Sequence, residues 1–263
     1  MNTPSSQPGN TGSREAAWAK PVAKLKASEV PAGAMNLNVE GRQVAGALQG
    51  FGQMWQKTYW VRLSGIAVTP AEVIQTWKEN FPRYWPKGNR FYAPLTGIVP
   101  GQVAMLNLAG PGNITGPGGT PLISTGVMVI YSDDESFTFM TPEGHIVAGW
   151  ITFSAFEEDG CTVAQTQVLI RPSDPLYEIS FRLGIGHKTE DDFWHHTLKA
   201  VAAHFGVEGQ VQQRTTLVDP KVRWAGVKNV WNNAAIRSGL YLIASPLRWI
   251  RDVFKGRPAT TDR

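Results

Sequence analysis

Residues 122–206 read LISTGVMVIYSDDESFTFMTPEGHIVAGWITFSAFEEDGCTVAQTQVLIRPSDPLYEISFRLGIGHKTEDDFWHHTLKAVAAHFG, and the order of patterns within them decides the fold. Segments 124–131, 136–140, 145–156 and 162–171 are rich in β-branched and aromatic residues, which predicts four strands. They are separated by Asp133-Asp134-Glu135, Pro142-Glu143-Gly144 and Glu157-Glu158-Asp159-Gly160. Links this short join antiparallel neighbours, because a parallel crossover needs roughly a dozen residues or more. A helix then closes the stretch. Thr189 is placed as its N-cap, Glu190, Asp191 and Asp192 face the positive end of the dipole, and Gly206 is the left-handed stop. Trp194, Leu198, Val201 and Phe205 recur at helical spacing and share one face. The expectation is an α+β fold in which a curved antiparallel sheet carries a long helix across it, with an apolar interior between them.

Upstream, Lys57-Thr58-Tyr59-Trp60-Val61-Arg62-Leu63 predicts a strand. Thr69-Pro70-Ala71-Glu72 opens a helix, with Thr at the N-cap and Pro at N1, that runs through Val73, Ile74 and Trp77 to about Phe81-Pro82. Residues 102–108 form a plausible strand, and the Gly/Pro clusters at 110–113 and 116–119 form a loop. Residues 1–35 read as a disordered leader, and 36–56 are interrupted by glycines. Downstream, Leu240, Ile243, Leu247, Ile250 and Phe254 form an apolar helical stripe, with Pro246 kinking or restarting it. Three units follow: a leader over 1–35, a ligand-binding domain over 36–210, and a basic amphipathic helical extension over 211–263.

The chain has 263 residues, 42% hydrophobic and 17% charged, enough to bury a sizeable core. Ten Trp require deep burial, a ligand or an interface to cover them. The single cysteine, Cys161, rules out an internal disulfide and any multi-cysteine metal site. The N-terminus lacks the pattern of a secretory signal, and no apolar run reaches the roughly 18 residues of a membrane span, so the expected compartment is the cytoplasm. The net charge of +4 is unevenly spread. From Arg214 onward ten Lys/Arg face three Asp, a balance of +7 that leaves the preceding chain at −3.

The order strand, helix, antiparallel run, long C-terminal helix resembles the helix-grip superfamily (SRPBCC or START-like), in particular an uncharacterised bacterial family within it. That superfamily includes START lipid-binding domains, birch-pollen-allergen-like proteins and polyketide cyclases. The resemblance covers roughly residues 57–206. It is carried by the order of elements and by Phe139-Met140-Thr141-Pro142-Glu143-Gly144-His145-Ile146-Val147-Ala148-Gly149, where a Gly-His pair in a turn precedes a Gly early in the next strand. It implies a cavity between sheet and helix that binds a hydrophobic small molecule or lipid, and only some members of the superfamily are enzymes.

Candidate ligand-wall residues are the aromatic group Trp77, Phe81, Tyr84 and Trp85, the strand faces Val147, Ile151, Phe153 and Thr166, Val168, Ile170, and Trp194 and Leu198 on the helix. Core and ligand wall are one surface in such a fold, so the pattern alone does not separate them. His145 and Glu143 at the turn are the candidate acid–base pair for a cyclase- or hydrolase-like alternative, although a turn histidine can equally bond to backbone. Asp191 with His195, or Asp192 with His196, has metal-ligand spacing but lacks a third ligand, so no metal is expected. No Gly-x-Ser-x-Gly elbow, His-Glu-x-x-His pair or phosphate loop occurs, and no cofactor is expected. In the tail, Leu240, Ile243, Leu247, Trp249, Ile250 and Phe254 with Arg248, Arg251 and Lys255 suit packing on the domain, homo-oligomer contact or an anionic membrane surface at the inner face of the membrane. Basic residues interleaved with apolar ones argue against nucleic acid.

Overall fold

The computed structural model describes residues 16–27 and 29–244. The strands are β1 (Met54–Arg62), β2 (Arg90–Tyr92), β3 (Val103–Leu108), β4 (Ile123–Ser132), β5 (Ser136–Met140), β6 (Val147–Glu158), β7 (Cys161–Pro172) and β8 (Gln212–Asp219). They form one curved sheet in the order β2-β3-β4-β5-β6-β7-β1-β8, every neighbour antiparallel. The helices are α1 (Pro70–Asn80), α2 (Pro175–Arg182), α3 (Ile185–His204) and α4 (Ala234–Ile243). This is the α+β helix-grip arrangement: α3 lies across the inner face of the sheet, and α1 packs beside it.

Local chemistry explains the best-defined elements. Thr69 and Glu72 form a reciprocal capping box at α1 with Pro70 at N1, which is why α1 begins where the sequence places it. On α3, Leu198 and Val201 are fully buried, and Trp194 and Phe205 pack against the same core. Phe81, Phe137, Phe139, Phe153 and Trp77 interlock edge-to-face within it.

Four expectations are corrected. Helix α3 starts at Ile185, a turn before Thr189, whose hydroxyl donates to the Ile185 carbonyl instead of capping. The chain ahead of it is already helical. Asp174 caps α2 by accepting from the Leu176 and Tyr177 amides, and Gly184, left-handed at φ 77°, joins α2 to α3. The stretch 211–263 does not open as a helical extension. It first supplies β8, an exposed edge strand whose polar residues carry no alternation, so backbone pairing to β1 holds it. The sheet itself therefore extends past residue 210.

The described part of the leader is packed rather than loose. Trp18 bridges to Tyr131 and stacks edge-on against its ring, and Leu25 is buried on the outer face of the sheet with Val39, Val103 and Met128. Helix α4 docks on that outer face: the Ser124 amide donates to Ser238 Oγ at 2.9 Å, and Arg237 Nε donates to Asn38 Oδ1 at 2.8 Å. Leu247, Arg248, Trp249, Ile250, Arg251, Phe254 and Lys255 lie outside the described residues.

Candidate functional site

Between the inner face of the sheet and α3 lies a cavity of about 260 Å³. Phe91, Leu106 and Val127 close it on one side and Phe139, Ile151, Val168 and Ile170 on another, with Phe193 and Trp194 of α3 above. Its border is built from α2 through Tyr177 and Phe181 and from the Gly110-Pro111 loop. Ile151 and Val168 are direct partners across the β6–β7 ladder, so strand alternation sends both side chains inward together.

Of the residues singled out by sequence, Phe81, Trp85, Val147, Ile151, Val168, Ile170 and Trp194 line the cavity, as does His145. Trp77, Phe153, Thr166 and Leu198 do not. They are fully buried core, and Trp77 lies edge-on to Phe137 and Phe153. Tyr84 is also off the wall, its hydroxyl hydrogen-bonded to His204 Nδ1 at 2.9 Å, with burial pushing the phenol up to about 12. The sequence could not make this division, because wall and core share one periodicity.

His145 and Glu143 do not form a pair. The Glu143 carboxylate accepts from the Gln43 amide at 3.2 Å, while His145 Nδ1 accepts from the Val147 amide at 3.3 Å. The residue between them, Gly144, turns the chain with φ 84°, which sends the two side chains apart. Burial takes the His145 imidazole down to about 4, so it is neutral at pH 7.

The polar centre lies elsewhere, and the sequence reading missed it. Lys57, fully buried on β1, places Nζ 2.8 Å from Glu190 Oε2 and 2.8 Å from Asp191 Oδ1. Tyr59, two residues on and therefore on the same face, donates to Asp191 Oδ1 at 2.6 Å. The Lys57–Asp191 contact is an aligned hydrogen bond, whereas the Lys57–Glu190 contact is an ion pair without that alignment. Burial pushes the Glu190 carboxyl up, with Lys57 pulling the other way. For Asp191 burial also acts upward, but the hydrogen bonds from Lys57 and Tyr59 outweigh it and the carboxyl falls below its usual range. A lysine inside an aromatic strand, at an inward position, was the available signal. Glu190 also lines the cavity.

The metal-ligand spacings are engaged otherwise. Asp191 serves Lys57, His195 Nε2 meets Gln213 Oε1 at 3.0 Å, and Asp192 pairs with Lys188. Among the described residues no three His, Cys, Asp or Glu side chains converge as a metal site. Nor is any described helix long and apolar enough to cross a membrane.

No family model matches the chain, and no curated protein matches it. Solved structures similar to it include a START superfamily protein from Mycobacterium smegmatis, at 16% identity and a TM-score of 0.37 over 59% of this chain and 98% of that one. Another is the di-domain ARO/CYC StfQ from the steffimycin biosynthetic pathway, at 12% identity and 0.42 over 59% and 53%. A third is Ara h 8.0201, at 13% identity and 0.39 over 58% and 97%. The fold assignment rests on the strand order and helix placement of this chain itself.

Proposed function

We propose that the protein binds a hydrophobic small molecule in the space between sheet and α3. The observation carrying this reading is a partly open, aromatic-walled space of about 260 Å³ that side chains leave unfilled. Small-ligand pockets are concave, mostly apolar and marked by a few convergent polar groups, and they commonly measure roughly 300–1,000 Å³. This one stands near the lower limit, so a compact ring system suits it better than a two-chain lipid. Native mass spectrometry of protein purified from its own host tests the reading. A co-purifying molecule of a few hundred daltons, released on denaturation, is expected. Protein that is empty from its host and does not bind neutral apolar fluorophores would overturn it.

Catalysis in the same cavity is the weaker alternative, since Glu143 is turned away from His145. A second reading is favoured by one surface. Leu240 and Ile243 on α4 are 62% and 77% exposed, and the basic segment with Arg248, Arg251 and Lys255 follows them in sequence. Exposed apolar side chains followed in sequence by basic ones suit the surface of an anionic membrane.

A further inference from the structure

The cavity wall contains one carboxyl and no counter-charge. Among its lining residues there is no Lys or Arg, and the lining histidine, His145, is neutral at pH 7. Lys57 does not line the cavity, and its ammonium is already divided between Glu190 and Asp191. Glu190 turns Oε2 toward Lys57 in that ion pair, yet Oε2 is buried without an aligned hydrogen-bond partner among the described residues. Of the remaining polar groups of the wall, the Trp85 indole N–H is buried without a hydrogen-bond partner among the described residues, while several others are occupied by the protein. Asn89 donates to the Pro86 carbonyl and to Asn113 Oδ1 and accepts from the Ala109 amide; the Thr189 hydroxyl donates to Ile185, and the Tyr177 hydroxyl accepts from the Ala235 amide. An apolar chamber therefore presents the Glu190 carboxyl, held against Lys57 at 2.8 Å, with no cation in the wall to receive an anion.

Resting on the small-molecule reading above, the geometry points to a ligand class: a compact apolar molecule bearing a hydroxyl or amine that donates to Glu190, and not one bearing a carboxylate or phosphate inside the cavity. A donor on the ligand gives the Glu190 carboxyl the aligned hydrogen bond that the protein leaves unmade. A carboxylate placed there would be desolvated beside the Glu190 carboxyl, with neutral donors such as the Trp85 indole N–H but no cation in the wall to compensate it, a situation that costs several kcal/mol in a low-dielectric site.

A near-isosteric series tests this on the full chain. Naphthalene, 2-naphthalenemethanol, 2-naphthalenemethylamine and 2-naphthoate are titrated at pH 7 as competitors of the neutral fluorophore N-phenyl-1-naphthylamine. The alcohol and amine are expected to bind roughly tenfold or more tighter than the carboxylate. Glu190→Gln, which leaves Lys57 paired with Asp191, is expected to narrow that gap to about threefold or less, each affinity being taken relative to that of naphthalene in the same protein. Scaling to naphthalene removes any change in the cavity as a whole, and the ranking in the unaltered protein needs no variant at all. Carboxylate binding as tight as that of the alcohol overturns the inference and leaves the cavity reading standing, as does a ranking that Glu190→Gln does not move. If neither the fluorophore nor naphthalene binds, the cavity reading fails and takes this inference with it.

Discussion

Gly144 and Asn232 meet so closely that a Cβ on Gly144 would stand 1.9 Å from the Asn232 carbonyl oxygen. The same turn accepts a hydrogen bond from the Ala234 amide at 2.9 Å, and Arg42 holds Asn232 Oδ1 at 2.6 Å. The Gly-His pair of the turn thus has two separate duties. The glycine seats the segment leading into α4, and the histidine faces the cavity. Gly144→Ala is expected to destabilise the protein by about 2 kcal/mol or more, since it combines a left-handed backbone with a clash against main chain. Urea denaturation checks this, and an unchanged midpoint would mean that the C-terminal segment is not seated there.

Lys57→Met removes the cation between Glu190 and Asp191 while keeping much of the side-chain volume. Leaving the buried Glu190 carboxyl without its cation, and Asp191 with its hydrogen bond from Tyr59 but no cation, is expected to cost about 3 kcal/mol at neutral pH. The loss should shrink in Lys57→Met/Glu190→Gln, because the variant then holds one acid rather than two. Equal losses in the single and double variants would show that packing, not charge, is what Lys57 supplies.

The sheet and α1 were legible because their signals are local: alternation, short acidic turns and the Thr69–Glu72 box each specify structure within a few residues. The Lys57–Glu190–Asp191 cluster was not, because Lys57 lies 134 residues from Asp191 and the acids resemble surface charges of a helix turn, leaving the lysine in its aromatic strand as a signal without a visible partner. Pro175 after Asp174 did carry a helix-start signal for α2, so α2 was readable from sequence. Strand β8 had no such signal, since an edge strand exposed on both faces needs no apolar pattern. Separating Ile151 from Phe153 as wall and core required the position of α3, which no periodicity contains.

Ile151→Trp is expected to fill the cavity, since Ile151 faces it beside Val168. Overpacking a core site costs about 1–3 kcal/mol, so the fold should persist. Binding of a neutral apolar fluorophore should fall at least about tenfold, a difference of roughly 1.4 kcal/mol or more. Retained affinity in a folded variant would place the ligand elsewhere.

Acid should weaken the protein through its buried imidazoles. Burial lowers His145 to about 4; burial and the nearby Lys57 lower His187 to about 4. A depressed folded pKa means that the neutral form belongs to the folded state. That contribution is complete above the unfolded value near 6.5 and is lost as pH falls from there toward 4. Melting temperature should therefore drop across this window. His145→Asn, which keeps an acceptor for the Val147 amide, should flatten part of the drop. A slope identical to that of the parent would mean that His145 is already charged in the folded protein.

The exposed ridge of α4 makes the last prediction sharp. Complete burial of a Leu or Ile side chain is worth about 1.5–3 kcal/mol, and Leu240 and Ile243 leave most of that unrealised in the isolated chain. The full-length protein should sediment with vesicles containing phosphatidylserine and not with purely zwitterionic ones, and the bound fraction should fall as salt rises. Arg248→Glu, Arg251→Glu and Lys255→Glu together should abolish sedimentation by reversing the attraction, while Leu240→Ser/Ile243→Ser should weaken it without changing its salt dependence. Binding that survives the charge reversal would show that charge is not the attraction. If neither vesicle type binds, light scattering at rising protein concentration decides whether a second copy of the chain covers the same ridge.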